Sequence, residues 1–318
     1  MMNEAKVKPN MTQYLKYDDN KVPYIQLGNL KVRLEDEEPS DEVKEIARVE
    51  LRETPDVVQP AVEEMKQLVL AETNLHVPVI DEFFIAFLRP CKYYPKSAFE
   101  RMKKYYKLKQ KHPKLFEDLF PISVRHVYEQ DIITLLPLRH KNGARILLME
   151  VGKKWKPAKC SLNDLFRSVL IAITSSMREP TTQICGGMII FDFDGLALNH
   201  IMQFTPSFAA MILEWVQEVL TLRLKAVHIF NNSYIFNMLF AIFKPFIKEK
   251  LRKRIFFHGK DTKSLTKHIN PDALPIKYGG TLDAPQLQGK LLADLYQQYQ
   301  KEFEIFKNLF KGMTCDKN

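Results

Sequence analysis

Five short apolar runs set among helical patterns constrain this chain more than any other feature. "DIITLLPLRH" and "RILLMEVG" come first, joined by "HKNGA", whose Asn142-Gly143 pair suits a tight hairpin turn. "GGMIIFDFDG", "KAVHIFN" and "RIFFHG" follow. Each is preceded by a helical stretch: "LNDLFRSVLIAITSSM", "TPSFAAMILEWVQEVL" and "YIFNMLFAIFKPFIKEKLR". Strands that are apolar throughout are buried on both faces, and strands alternating with helices build a parallel sheet through crossovers. The pattern predicts an α/β domain over residues 121–283.

The flanks differ. "SDEVKEIARVELRE" offers Ser40 as an N-cap with acids in the first turn, and Pro55 reads as its stop. "DVVQPAVEEMKQLVL", with Pro60 near its start, "DEFFIAFLR" and "PKSAFERMKKYYKLKQKH" continue the helical period. Residues 40–120 therefore predict a small helical bundle. Residues 1–39 are polar, weakly periodic and end in the acidic run "EDEEP", which reads as a mobile arm. Residues 284–318 predict one amphipathic helix, "LLADLYQQYQKEFEIFKNLF", and a tail.

Several chemistries find no support. There is no GxSxG, GxGxxG, GxxxxGK or HExxH, so neither an enzyme nor a cofactor or metal site is expected. "DFDG", Asp192 to Gly195, lacks the glycine spacing of a calcium loop and reads as a turn cap. His200 and His228 sit among apolar residues and read as hydrogen-bonded core histidines. Cys91, Cys160, Cys185 and Cys315 form no CxxC and read as reduced thiols of a cytosolic protein. "MMNEAKVKPN" lacks the apolar core of a signal peptide, and no run approaches the roughly 18 apolar residues of a membrane span.

Two features do point outward. Phe166, Val169, Leu170 and Ile173 fall on one helical stripe, and Ile212, Trp215, Val216 and Leu220 on another. Such stripes form either core or the wall of a ligand cavity, because the two have the same composition. The second feature is "FKPFIKEKLRKRI", residues 243–255, set directly after the apolar "SYIFNMLFAI". With a net charge of +9, the chain favours anionic partners. The aromatics lie on the apolar side rather than between the cations, which argues against nucleic acid and leaves a membrane surface, a partner groove and a plain amphipathic helix open. Pro245 breaks the helix. Lys250 and Arg254, four apart, are expected on one helix face, and Lys248 and Arg252 on another that reads as solvated.

From about Asp41 to Leu282 the chain resembles the CRAL-TRIO family, in its tocopherol-transfer and retinaldehyde-binding branch. "DEFFIAFLRPCKYYPKSAFERMKKYYKLKQKHPKLF" is similar to the family's helical segment with its FLR signature. "GGMIIFDFDGLALNHIMQFTPSFA" is similar to its strand motif, and "KAVHIFNNSYIFNMLFAIFKPFIKEKLRKRIFFHG" to its strand, gate helix and basic segment. "LPIKYGG" is similar to its closing loop. The resemblance implies an N-terminal helical domain followed by an α/β domain with a central sheet, an apolar pocket for one lipid and a gate helix over residues 234–247. It places the pocket at Phe166, Val169, Leu170, Ile173, Ile189, Phe191, Ile212, Trp215, Val216 and Leu220. It places gate residues at Phe236, Leu239, Phe240 and Phe243, and a phosphoinositide head-group cleft at Arg223, Lys225, Lys250 and Arg254. Cys91, after Pro90, stands where the family carries a second arginine, with Lys92 next to it. Two positions that are serine in tocopherol-transfer proteins are Val169 and Ile173, which favours a more apolar ligand or a different polar anchor.

The implied function is a monomeric intracellular carrier of one hydrophobic ligand (retinoid, carotenoid, tocopherol-like or other lipid). Its gate would open at phosphoinositide-containing membranes. The alternative is a phosphoinositide-binding trafficking or interaction module that transfers no ligand.

Overall fold

In the computed structural model, which describes residues 14–309, the chain begins with a three-stranded antiparallel sheet. Its strands are β1 (Tyr14–Tyr17), β2 (Pro23–Leu27) and β3 (Leu30–Val32). This corrects the mobile arm expected there; residues 1–13 lie outside the described part. Ile25, Leu27, Val32 and Leu34 are buried in the main core, and burial of this size anchors a short segment. The short strands mix polar with apolar residues, so they do not stand out in sequence. The Asp18 carboxylate fixes the first turn by accepting from the Asn20 and Val22 N–H groups, both at 2.9 Å.

Four helices follow: α1 (Asp41–Leu51), α2 (Pro55–Leu70), α3 (Asp81–Leu88) and α4 (Pro95–Lys111). The Ser40 hydroxyl caps α1 by accepting from the Val43 N–H at 3.4 Å. Pro55 opens α2, and Pro60 lies within it. α2, α3 and α4 share a core that includes Met65, Phe84, Phe87, Leu88, Met102 and Tyr106. Arg89, just past α3, donates to Glu53 at 2.7 Å and also to Gln183, which ties the bundle to the sheet domain.

The central sheet holds β4 (Ile133–Leu135), β5 (Arg145–Glu150), β6 (Gly187–Asp192), β7 (Leu224–Phe230) and β8 (Ile255–Gly259) in that order. β4 pairs antiparallel with β5, and the other pairings are parallel. The crossovers are α5 (Leu162–Ser176), α6 (Pro206–Glu214) and α7 (Tyr234–Phe243). Ser161 and Thr205 cap α5 and α6, accepting from the Asp164 and Phe208 N–H groups at 3.1 and 3.2 Å. α6 runs on into one π-helical turn, Trp215–Val219, closed by the Leu220 N–H donating to the Trp215 carbonyl at 2.8 Å. The single closing helix expected is two, α8 (Gly289–Gln297) and α9 (Gln300–Leu309).

Successive strand residues face opposite sides. Ile146, Leu148, Ile190, Ala226 and Phe230 pack on Leu265, Ile269, Leu274 and Tyr278 behind the sheet. Leu147, Met149, Ile189, Phe191, Val227 and Ile229 face the other way, with lining residues of α5, α6 and α7.

Candidate functional site

The front of the sheet and its three helices do not close on one another. They surround a cavity of about 290 Å³. Phe166, Val169 and Ile173 line it from α5, and Ile189 and Phe191 from β6. Ile212 lines it from α6, Trp215 and Val216 from the π-helical turn, and Leu220 from just past that turn. Phe236, Leu239, Phe240 and Phe243 line it from α7. Leu170 does not line it, which corrects that expectation. One residue on from Val169 it is rotated by about 100° around α5, and it packs with Leu108 and Leu115 instead.

The few polar side chains in the wall are bonded to the protein itself. The Ser176 hydroxyl donates to the Ala172 carbonyl at 2.8 Å. The Thr182 hydroxyl donates to Glu179 at 2.5 Å and accepts from Arg139 at 2.9 Å. Arg145 donates to Glu179 at 3.1 Å and to the Arg33 carbonyl at 3.1 Å. Burial alone would raise the Glu179 carboxyl, but Arg145 and Arg139 outweigh it and hold it below the usual carboxylate range.

α7 has two unlike faces. Phe236 and Leu239 are buried, whereas Tyr234 is 82% and Met238 48% exposed. Among the described residues no side chain of α7 hydrogen-bonds to the rest of the protein. The polar ties sit at its two ends. Before it, the Asn231 amide donates to Asp192 at 2.7 Å and Asn232 accepts from the Gly259 N–H at 2.8 Å. After it, where Lys244–Phe246 makes a 3₁₀ turn around Pro245, the Gln217 amide donates to the Phe246 carbonyl at 3.1 Å and accepts from the Lys248 N–H at 2.7 Å.

The four cations expected to form a head-group cleft are only partly free. Arg223 and Lys225 both donate to one oxygen of Glu50 on α1, at 2.6 and 2.8 Å. Burial opposes ionisation of Glu50, but these bonds outweigh it and hold its carboxyl below the usual range. Arg254 donates to the Leu224 carbonyl; its pKa is lowered by burial and then by the nearby Arg223. Lys250 is exposed. Lys250 and Arg254 do not share a helix face, because the helix there is the single turn Glu249–Arg252 and Arg254 leads into β8. Lys248 is not merely solvated: it pairs with Glu218, which Lys104 also contacts at 2.7 Å. The two lysine bonds pull the Glu218 carboxyl down to about 2.

Gly186 is required beside this cluster. Its φ is +80°, and a β-carbon there would lie 2.1 Å from the Arg223 carbonyl oxygen.

The CRAL/TRIO domain family matches residues 129–280. Over 261 residues the chain is 31% identical to alpha-tocopherol transfer protein-like of Homo sapiens, covering 81% of this chain and 76% of that protein. It is 28% identical over 246 residues to Clavesin-1 of Rattus norvegicus, covering 76% of this chain and 69% of that protein. The chain belongs to the CRAL/TRIO family. Membership of this family points to lipid binding and transfer in general.

Other residues of this CRAL/TRIO protein take structural parts. Asp192 accepts from Asn231, from Tyr278 at 2.8 Å and from the Asp194 N–H at 2.9 Å, so "DFDG" ties the strand ends together. His200 accepts from the Ala197 N–H and bonds the Trp155 carbonyl, both at 3.0 Å. His228 meets His258 at 3.0 Å, and His258 meets Ser264 at 2.8 Å, behind the sheet. Thirty residues separate the two histidines, so only the β7–β8 pairing brings them together. The cavity also takes in Leu147, Met149, Phe204, Leu213 and Leu251, which were not expected, and Ile247 at the end of the expected gate, beyond the helix Tyr234–Phe243. Leu147 and Met149 stand opposite Ile189 and Phe191 in the β5–β6 register, which the sequence alone does not give. Among the described residues no cluster of His, Cys, Asp or Glu is arranged to hold a metal ion, and no helix is long and apolar enough to cross a membrane.

Proposed function

We propose that this protein carries one hydrophobic lipid in the cavity and exchanges it at anionic membranes when α7 swings aside. The observation that carries the reading is a cavity roofed by a helix with polar ties only at its ends. Such a roof opens by breaking apolar contacts, and an apolar phase can replace those at little cost. A ligand burying about 400 Å² at about 25 cal/mol/Å² gains roughly 10 kcal/mol before entropy costs, so retention needs no polar anchor. With Val169 and Ile173 in the wall and its polar groups engaged elsewhere, the ligand is apolar along its buried length. Retinoids, carotenoids, tocopherol-like molecules and other lipids fall in this class. The similarity to a protein named for tocopherol transfer supports the same reading.

Arg223, Lys225, Lys250 and Arg254 serve as the phosphoinositide contact. A head group takes Arg223 and Lys225 from Glu50 as it binds. The test is transfer of a loaded fluorescent retinoid to acceptor vesicles. Phosphoinositide in the acceptor should accelerate transfer in the wild type and not in a Lys250→Glu/Arg254→Glu variant, with binding of the retinoid unchanged. Equal rates with and without phosphoinositide would overturn the membrane-assisted step. A protein that takes up no ligand but still binds those vesicles would favour an interaction module.

A further inference from the structure

A second concentration of positive charge lies outside the cavity and shares only Lys250 with the head-group cluster. α4 exposes Lys104, Lys107 and Lys111 at spacings of three and four residues, which stacks them along one face. Buried Ala98, Met102 and Tyr106 fix the opposite face in the helical core. The stripe reaches the end of the gate. Glu218 on the π-helical turn accepts from Lys104 and from Lys248, the latter just past the break after α7. Exposed Lys250 and Arg252 follow.

The acids facing this surface do not neutralise it. Glu100 pairs with Lys103 at 2.7 Å, and Glu249 with Lys253 at 2.7 Å. Glu218 is shared between two lysines, and burial and then Lys111 lower the pKa of His112 despite the nearby Glu214. Among the described residues Lys107, Lys111, Lys250 and Arg252 enter no ion pair.

We propose that the solvent face of α4 and the segment after α7 form one docking face for an anionic phospholipid bilayer, separate from the Arg223–Lys225 head-group cluster. The stripe attracts the leaflet as a whole and sets α7 against it. Exposed Tyr234 and Met238 on α7 provide apolar side chains for the interface. Nucleic acid fits less well, because the aromatics of α4 supply no stacking platform: Tyr106 is buried, and Tyr105 packs edge-on against Phe87. The docking face does not depend on ligand transfer.

The test is sedimentation of the full-length protein with vesicles of phosphatidylcholine and phosphatidylserine that contain no phosphoinositide. Lys107→Glu/Lys111→Glu should weaken partitioning by about tenfold or more and flatten its salt dependence. Lys107→Gln/Lys111→Gln should do so less, and neither pair should shift the melting temperature. The preference for phosphoinositide over equally charged phosphatidylserine vesicles should survive both. Three results would overturn the proposal: wild-type binding by the glutamate variant, no binding of the wild type to these vesicles, or tighter binding of the wild type to single-stranded RNA than to the vesicles. Loss of phosphoinositide preference alone would count against the head-group reading and leave this one standing.

Discussion

The two sides of the central sheet are built from the same kinds of residue and end in opposite states. Behind it, Ile146 and Ile190 are completely buried against Leu265, Ile269 and Leu274. In front, Ile189, Phe191 and Val227 come from the same strands, yet they stay only partly buried because they face the cavity. The covers differ more than the sheet does. The rear cover, around Lys277 and Tyr278, is pinned to the sheet by polar bonds: Tyr278 donates to Asp192 at 2.8 Å, and Lys277 pairs with Glu150. The front cover, α7, rests on apolar contacts between two polar hinges. Apolar composition therefore says that a surface is covered, and the placement of polar ties says whether the cover is fixed.

Substitutions on the two sides should separate them most. Leu265→Ala behind the sheet should lower stability by about 2–5 kcal/mol, because it opens a void in packed core. Ile189→Ala in front should lower it by about 1 kcal/mol or less, because the side chain already borders a void. Denaturant midpoints compare the two, and equal losses would erase the distinction.

Acid should act mainly through the rear side. Burial, together with neighbouring histidines, lowers the pKa values of His228 and His258 to about 3 and about 4 from an ordinary 6.5. Below pH 6.5 the unfolded imidazoles take up protons that the folded ones refuse. Stability should therefore fall as pH drops from about 6.5 toward 3, by on the order of several kcal/mol. His228→Gln should flatten this dependence, as read by thermal unfolding across that range.

At the front, Gln217→Ala removes both side-chain bonds holding the lower hinge of α7. Ligand exchange should quicken by several-fold, since each such bond is worth about 0.5–1.5 kcal/mol. Stopped-flow release of a fluorescent retinoid measures it, and an unchanged rate would place the hinge elsewhere. Smallest of all, Glu50→Gln frees Arg223 and Lys225 and should strengthen binding to phosphoinositide vesicles by about fivefold or less.

The sheet and its crossovers were legible because short, wholly apolar runs alternate with helical periods, and the α5 and α6 stripes pointed at the cavity wall. Val169 and Leu170 were indistinguishable in sequence, since both are apolar and adjacent; only the rotation about α5 separates them, leaving Val169 half-buried at the cavity and Leu170 buried in packed core. The N-terminal sheet was invisible because its short strands mix polar with apolar residues and its burial depends on a core made elsewhere. Charged residues were the least readable. Nothing local to Arg223 or Lys225 foretells that Glu50, 173 and 175 residues away, shares an oxygen between them.

The account stands on the front cavity holding a lipid. Its most direct measurement is incubation with a mixed lipid extract, re-isolation, organic extraction and mass spectrometry, with an Ile189→Trp variant in parallel. The wild type should return about one equivalent of an apolar lipid, and the variant, with its cavity filled, far less at similar stability. Equal lipid from both, or none from the wild type, would contradict it.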